Sequence, residues 1–228
     1  MYRYERGYLN SNESNSKGSN GGRTVEESIN HHEHLKRAQN RAKNLMRRII
    51  NANHGQYPGC STKFLTLTFR EHITEVEQAN HEFRKFIKRL NYKFFDSGNS
   101  NLRYLAVPEF TKIGRIHFHV VLFNLPFIRW KMIEDTWKNG FIKINRCEDV
   151  TNLGAYVSKY MTKESNQRLK GKKRYFCSRN LFKPVELINE EAGNLLENLP
   201  EENKTYQNTF ENEYVGKVDY DQYIIKKD

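Results

Sequence analysis

The sequence contains few cysteines and no long apolar run. Its 228 residues include three cysteines, Cys60, Cys147 and Cys177, which are far apart and form no Cys-x-x-Cys pair. A disulfide framework and a thiolate zinc site are therefore not expected, and reduced thiols in a cytoplasmic protein are. No segment approaches the ~18 apolar residues of a membrane-spanning helix, and the amino end has no apolar signal core. We expect a cytoplasmic protein that does not contact a membrane.

Acidic residues are absent from two stretches that are rich in lysine and arginine. The whole chain has 38 Lys and Arg against 27 Asp and Glu, a net charge of +11 and a pI near 9.5. This balance predicts a nucleic-acid partner. The cations of the first stretch are Lys36, Arg37, Arg41, Lys43, Arg47 and Arg48, and those of the second are Arg168, Lys170, Lys172, Lys173, Arg174 and Arg179. We predict that both sets bind DNA phosphates, with a solvated helix face as the equal alternative for the first.

Composition divides the chain into three parts. Residues 1–24 are polar and glycine-rich, which is typical of a flexible leader. Residues 25–183 are predicted to form the globular domain, with the motifs between residues 60 and 165. Residues 184–228 form an extension that is first acidic, with seven glutamates against one lysine in residues 189–213, and then aromatic. A solvated tail is the default for its acidic part.

Hydrophobic periodicity predicts a β-α-β-β-α-β-α order after a first helix over residues 25–51. In that helix Leu35, Ala38, Ala42, Leu45 and Ile49 are spaced for one apolar stripe. "KFLTLTF", "LRYLAVPEF", "RIHFHVVLF" and "FIKINRC" are the predicted strands, and the short "TKIG" connection between the middle two favours a hairpin. The order implies an α+β fold with a mostly antiparallel sheet backed by helices on one face.

The strand "RIHFHVVLF" places two histidines on one face and apolar side chains on the other. Residues alternate across a strand, so His117 and His119 share a face. If the hairpin forms, Glu109 lies beside them on the exposed face of the sheet. Two imidazoles and a carboxylate are a common facial set for a divalent cation. A His-x-His pair taken alone is more often a structural or surface feature.

The helix "AYVSKYMTK" carries a second group of chemically capable residues. Tyr156, Tyr160 and Lys163 stand at i, i+4 and i+7 and share one helix face. A pair of tyrosines buried against the sheet is the alternative. The combination with a metal site and a basic surface favours chemistry, in which a phenolate stabilised by the cation and a nearby ammonium attacks a phosphodiester.

Three stretches, in this order, resemble the motifs of the HUH endonucleases: "FLTLTF", "PEFTKIGRIHFHVVLF" and "YVSKYMTK". Within that superfamily they are similar to rolling-circle replication initiators of small plasmids and single-stranded DNA phages. The resemblance covers residues 64–163. It implies a ferredoxin-like or palm-like sheet, Mg²⁺ or Mn²⁺ held by Glu109, His117 and His119, and sequence-specific nicking of single-stranded DNA at an origin, where a hairpin is expected. A tyrosine becomes linked to the 5′ phosphate and a 3′ hydroxyl is freed.

Both tyrosines fit the Tyr-x-x-Lys pattern of that family. The resemblance favours Tyr160 as the first nucleophile, Tyr156 as its partner and Lys163 as the helper. The chain contains no Walker-type GxxxxGK[ST] loop, so a host helicase and polymerase are the expected partners. Two alternatives stay open: a relaxase or single-strand transposase with the same chemistry, and a non-enzymatic basic module that stacks bases on aromatic residues.

Overall fold

The computed structural model describes residues 2–4, 25–96, 98–147, 150, 152–161, 168–169, 172–212 and 215–224. Its elements are, in chain order, β1 (Tyr2–Tyr4), α1 (Val25–Asn53), β2 (Lys63–Thr68), α2 (Val76–Phe95), β3 (Tyr104–Phe110), β4 (Ile116–Leu122), α3 (Trp130–Trp137), β5 (Ile142–Arg146), α4 (Leu153–Ser158), β6 (Phe176–Cys177), α5 (Asn189–Glu197), a 3₁₀ turn (Glu201–Asn203), β7 (Lys204–Asn212) and β8 (Gly216–Tyr223). Within these ranges no helix has the length and apolar character needed to cross a bilayer.

The chain forms two compact units. The larger comprises Thr24–Pro184, and the smaller contains Tyr2–Tyr4 and the residues from Val185 onward. In the larger unit, a five-stranded antiparallel sheet has the strand order β5-β2-β4-β3-β6. The run β2-α2-β3-β4-α3-β5 is the β-α-β-β-α-β arrangement of ferredoxin-like folds, with β6 added at one edge. The predicted α+β class with an antiparallel sheet is confirmed.

The main core lies between the sheet and helices α2 and α3. Leu67 of β2 and Phe118 of β4 are fully buried there and meet Phe86 of α2 and Trp137 of α3. These strand residues alternate with residues that point to the opposite face, as the period of a β-strand requires. One face of the sheet is therefore fully committed to packing.

The opposite face is partly covered by α1 and α4, whereas helices were expected on one face only. Phe64, Leu105 and Val121, from three different strands, are buried on this face against the two helices. Apolar residues on both faces of a strand need cover on both sides, because exposure to water is unfavourable. The expectation of an exposed face is wrong for His119, which is only 4% exposed.

Helix α1 packs through a stripe that differs from the predicted one. Met46 and Ile50 are fully buried, with Ile49 packed beside them, whereas Leu45 is 42% exposed. Met46 and Ile50 stand four residues apart and lie on one helix face. The position of the sheet and of α4, which the helix sequence does not reveal, selects that face for burial.

Helix α4 is fastened to α1 by side-chain amides. Asn152 caps α4, because its Oδ1 accepts a hydrogen bond from the Ala155 amide at 2.9 Å. Asn51 of α1 donates to that same Oδ1 at 3.1 Å and accepts from the Gly154 amide at 2.9 Å. The start of the tyrosine-bearing helix is therefore held at a defined place on α1.

The smaller unit contains a three-stranded antiparallel sheet of order β1-β8-β7. Tyr2–Tyr4, which the sequence analysis assigned to a flexible leader, pair with β8, while residues 5–24 lie outside the described ranges. The predicted acidic tail includes helix α5 and the strands of the β7–β8 hairpin. This part of the chain has regular structure of its own.

Gly154 offers a test of the contact between α1 and α4. A Cβ at this position would meet the carbonyl oxygen of Arg47 and lie 2.8 Å from its Cα. We expect Gly154→Ala to lower the free energy of unfolding by about 1–3 kcal/mol, because backbone atoms cannot move aside easily. Urea denaturation measures the change. Gly98→Ala is the control, since a Cβ there meets nothing within 4 Å; equal stability of the two variants would contradict a tight helix contact.

Candidate active site

The β3–β4 hairpin brings the predicted metal ligands together. The strands pair as expected, with Glu109 opposite His117 and Val107 opposite His119. Directly opposite residues project from the same face of a sheet. The tight connection is closed by Thr111, whose amide donates to the Arg115 carbonyl at 2.9 Å. Glu109, His117 and His119 therefore share the face that α1 and α4 partly cover.

His119 is the most enclosed member of the group. Its Nε2 lies 2.6 Å from Oε2 of Glu109, and its Nδ1 lies 3.3 Å from the Thr66 hydroxyl. The ring stacks on Tyr160, with centroids 3.6 Å apart and planes inclined by 22°. Phe64 approaches both rings, with centroid distances of 5.8 Å to His119 and 5.5 Å to Tyr160. Packing and hydrogen bonds thus define the orientation of this imidazole.

His117 is half-buried and faces the same carboxylate. Burial lowers the pKa of His117, the His119 imidazole lowers it further, and the Glu109 carboxylate opposes both effects. The net direction favours the neutral imidazole near neutral pH. That is the form in which a histidine binds a metal.

The two tyrosines lie next to each other even though α4 ends at Ser158. The chain continues in a tight turn, in which the Tyr160 amide donates to the Val157 carbonyl at 3.1 Å. The phenol oxygens of Tyr156 and Tyr160 are 3.3 Å apart. Burial raises the pKa of the Tyr160 phenol well above its ordinary value, and the hydrogen bond with Tyr156 raises it further. Tyr160 is therefore firmly protonated unless a further group stabilises its phenolate.

Lys163, the predicted helper of the tyrosines, lies outside the described residues. The described lysine near the pair is Lys159, whose Nζ lies 5.8 Å from the centroid of the Tyr156 ring. It was expected to point away from Tyr160, and its cation–π contact is indeed with the other tyrosine. Its charge lies over the exposed phenol, at the rim of the site.

The donor chemistry of the three predicted ligands fits a divalent cation. Two imidazoles and one carboxylate suit Mn²⁺ and leave coordination positions open, and a carboxylate also suits Mg²⁺. In the described part of the chain no three His, Cys, Asp or Glu side chains are gathered into a ligand set, and Glu109 and His119 are hydrogen-bonded to each other. These residues would hold the ion after exchange of that hydrogen bond for two metal bonds.

The two basic stretches are placed differently relative to this face. Helix α1 packs on the face that carries the site, and its exposed cations, described beyond their backbone, are Lys36, Arg37, Arg41 and Arg48. In the second stretch, Arg168 lies over the Phe110 ring, with 5.4 Å between the guanidinium carbon and the ring centroid, and Lys172 pairs with Glu77 of α2. Both contacts are with the α2 side of the sheet. Lys170 lies outside the described residues.

Strand β2 contributes residues to which the sequence analysis assigned no role. Thr66 stands opposite His119 and Thr68 opposite His117. The alternation of "FLTLTF" puts Phe64, Thr66 and Thr68 on one face, and this signal was available. The missing information was that β2 is the neighbour of β4, which only the strand order supplies.

A hairpin with paired histidines, a facing carboxylate and two tyrosines on a flanking turn is the arrangement expected of Rep-type replication-associated proteins. Comparison with known proteins is more specific: residues 62–165 match the model of a family described as replication-associated protein ORF2. The matched range contains both histidines, Glu109 and both tyrosines. It confirms the resemblance that the three motifs predicted, and it supports a role in the initiation of replication.

Two curated relatives are named as replication proteins. The phasyl DNA replicon protein arp of Escherichia coli is 28% identical over 132 residues, which cover 46% of this chain and 44% of the relative. The replication-associated protein ORF2 of Spiroplasma virus 4 is 32% identical over 123 residues, covering 44% of this chain and 38% of the relative. The similarity thus spans less than half the length of either relative. No solved structure shows a significant match.

The buried position of His119 leads to a stability prediction. We expect His119→Ala to lower the free energy of unfolding by about 1–3 kcal/mol, because it removes the ring that stacks on Tyr160 and leaves Glu109 without its hydrogen bond. Urea denaturation followed by circular dichroism measures the loss. His117→Ala, at a half-buried position, should destabilise less. If both variants were as stable as the original chain, the enclosure of His119 would be refuted.

Proposed function

We propose that this protein cuts and rejoins single-stranded DNA at a replication origin through a covalent phosphotyrosine intermediate. The observation that carries the proposal is the contact between Tyr160 and His119, 3.6 Å between ring centroids, with Glu109 2.6 Å from the same imidazole. A nucleophile, an imidazole and a carboxylate in one cluster are typical of a catalytic site. The matches to replication proteins supply the biological setting.

In the proposed cleavage, the Tyr160 oxygen attacks the scissile phosphorus. A bond from that oxygen to the 5′ phosphate forms, the bond to the 3′ oxygen breaks, and the phenol proton leaves while a proton restores the 3′ hydroxyl. A Mg²⁺ or Mn²⁺ ion held by Glu109, His117 and His119 would polarise the phosphate and stabilise the phenolate. The raised pKa of Tyr160 makes such stabilisation necessary.

Tyr156 is proposed as the second nucleophile, which acts when the strand is rejoined. Its oxygen is 3.3 Å from that of Tyr160 and its side chain is 37% exposed, so both phenols can reach one phosphate without refolding of α4. The loss of the hydrogen bond between the two phenols as one of them reacts would also lower the pKa of the other. Lys163 is retained as the proposed helper from the sequence pattern.

Competing functions share part of this chemistry. A relaxase or a single-strand transposase could use the same residues, and the similarity to proteins named for replication favours an initiator. A binding module has no need of an imidazole enclosed by a carboxylate and a tyrosine. The enclosed cluster therefore favours an enzyme over a module that only binds.

The DNA strand is proposed to contact the exposed cations of α1, because that helix packs on the face that carries the site. Phosphate contacts set affinity and position more than sequence choice. Lys173 and Arg179, which are exposed in the second basic stretch, are proposed to contribute to the same affinity. A host helicase and polymerase are the proposed partners at the origin.

The two tyrosines have different expected phenotypes. With a pool of labelled single-stranded oligonucleotides and Mn²⁺, Tyr160→Phe should reduce the initial covalent adduct at least about a thousandfold, because the nucleophile is missing. Tyr156→Phe should still cleave but fail to rejoin the strand. Mass spectrometry of the trapped peptide identifies the attacking residue. Tyr92→Phe, an exposed tyrosine on α2, is the control, and an adduct on Tyr156 alone would reverse the assignment.

Removal of the metal should abolish cleavage without unfolding the protein. Chelator should stop nicking and Mn²⁺ should restore it, while the circular dichroism spectrum stays the same, because the ligands lie on strands that pack independently of the ion. Calorimetric titration with Mn²⁺ should show a site that His117→Gln weakens at least about tenfold. His81→Gln, on the exposed side of α2, should bind normally. Metal-independent cleavage would refute the mechanism.

A further inference from the structure

A row of four residues crosses the sheet from its β5 edge to the proposed metal ligands. Thr68 stands opposite His117, and His117 stands opposite Glu109. On its other side Thr68 meets Phe141, because its amide and its hydroxyl both donate to the Phe141 carbonyl at 3.0 Å. Phe141 thereby extends the register of β5 by one residue. Neighbouring strands are about 4.8 Å apart, so Phe141 stands about 10 Å from His117.

Phe141 is exposed at this position although it begins a strand. Its side chain is 66% exposed, while the next residue, Ile142, is 5% exposed and belongs to the main core. Alternation therefore turns Phe141 toward the site face, and Lys143 follows it there. Lys143 is exposed and belongs to the next row, opposite Thr66, which in turn faces His119. Among the described residues no carboxylate forms an ion pair with Lys143.

The backbone around Phe141 is held tightly. A Cβ on Gly140 would lie 2.5 Å from the Thr68 carbonyl oxygen, so the chain approaches β2 closely there. That same oxygen accepts a hydrogen bond from the Trp137 indole at 2.8 Å. The Arg70 amide donates to the Asn139 carbonyl at 2.7 Å and continues the ladder. An exposed aromatic ring on a rigid support is a preorganised contact surface.

We infer that Phe141 and Lys143 form a subsite for the nucleotide beside the scissile phosphate, in which the Phe141 ring stacks on a base and the Lys143 ammonium binds a backbone phosphate. An isolated exposed phenylalanine needs no explanation. This one is aligned with the proposed catalytic row and stands next to an exposed cation. Aromatic stacking combined with positive charge is how proteins hold single strands regardless of sequence. The inference rests on the proposed function, because it assigns the DNA path across that same site.

Binding to two probes separates stacking from charge. The probes are a fluorescein-labelled oligothymidylate of about 20 nucleotides and an abasic strand of the same length with the same phosphates, and anisotropy is measured in chelator at fixed ionic strength. Phe141→Ala should weaken oligothymidylate binding about tenfold and leave abasic binding unchanged, because only the first probe has bases to stack. Lys143→Gln should weaken both probes alike. Phe141→Trp should bind oligothymidylate at least as well as the original chain.

Matched variants control for the loss of any exposed phenylalanine or lysine. Phe127→Ala removes a ring that is 81% exposed outside this row, and Lys88→Gln removes an exposed cation of α2. Neither should change binding to oligothymidylate. Equal affinity of Phe141→Ala and the original chain for oligothymidylate, equal weakening on both probes, or no binding by the original chain would overturn the subsite.

The nicking assay keeps this result separate from the proposed function. If the original chain cleaves DNA and Phe141→Ala shows no base-dependent loss, the subsite is wrong and the function stands. If the chain does not cleave and the base-dependent loss is observed, the strand-binding surface stands and the function is wrong. Thermal unfolding of Phe141→Ala should match that of the original chain, since the ring is mostly exposed.

Discussion

The enclosure of His119 underlies both the stability and the chemistry of the site. Its ring nitrogens lie 2.6 Å from the Glu109 carboxylate and 3.3 Å from the Thr66 hydroxyl, and its face stacks on Tyr160. Three segments that are distant in sequence meet at this one ring. A polar group that is buried must be hydrogen-bonded to be stable, so the strand order, the hairpin register and the position of the tyrosines are linked through it.

The sheet separates stability from chemistry by its two faces. One face is packed by α2 and α3, and the other carries the site beneath α1 and α4. Helix α1 connects these roles, because its Met46 and Ile50 fill the smaller core, its Asn51 fastens the start of α4, and its exposed cations lie on the site side. Changes in α1 are therefore expected to act on the tyrosines and on DNA affinity together.

The tyrosine pair shows how burial and chemistry oppose each other. Contact with His119 and Phe64 positions Tyr160, yet the same burial raises its pKa and holds the nucleophile in its unreactive, protonated form. Tyr156 is more exposed and shares a hydrogen bond with it. A site built in this way stays inactive until a bound cation and the substrate supply the missing stabilisation of the phenolate.

Local features of this protein could be read from its amino-acid sequence: the order of the main strands and helices, the shared face of His117 and His119, and the spacing of Tyr156 and Tyr160. These follow from short-range periodicity and from motif order. Three other outcomes needed the folded chain: the cover of the site face by α1 and α4, the burial of Met46 in place of Leu45, and the alignment of Phe141 with Thr68 and His117. They depend on which strands are neighbours and on how helices pack, and contacts between distant segments leave no trace in local periodicity.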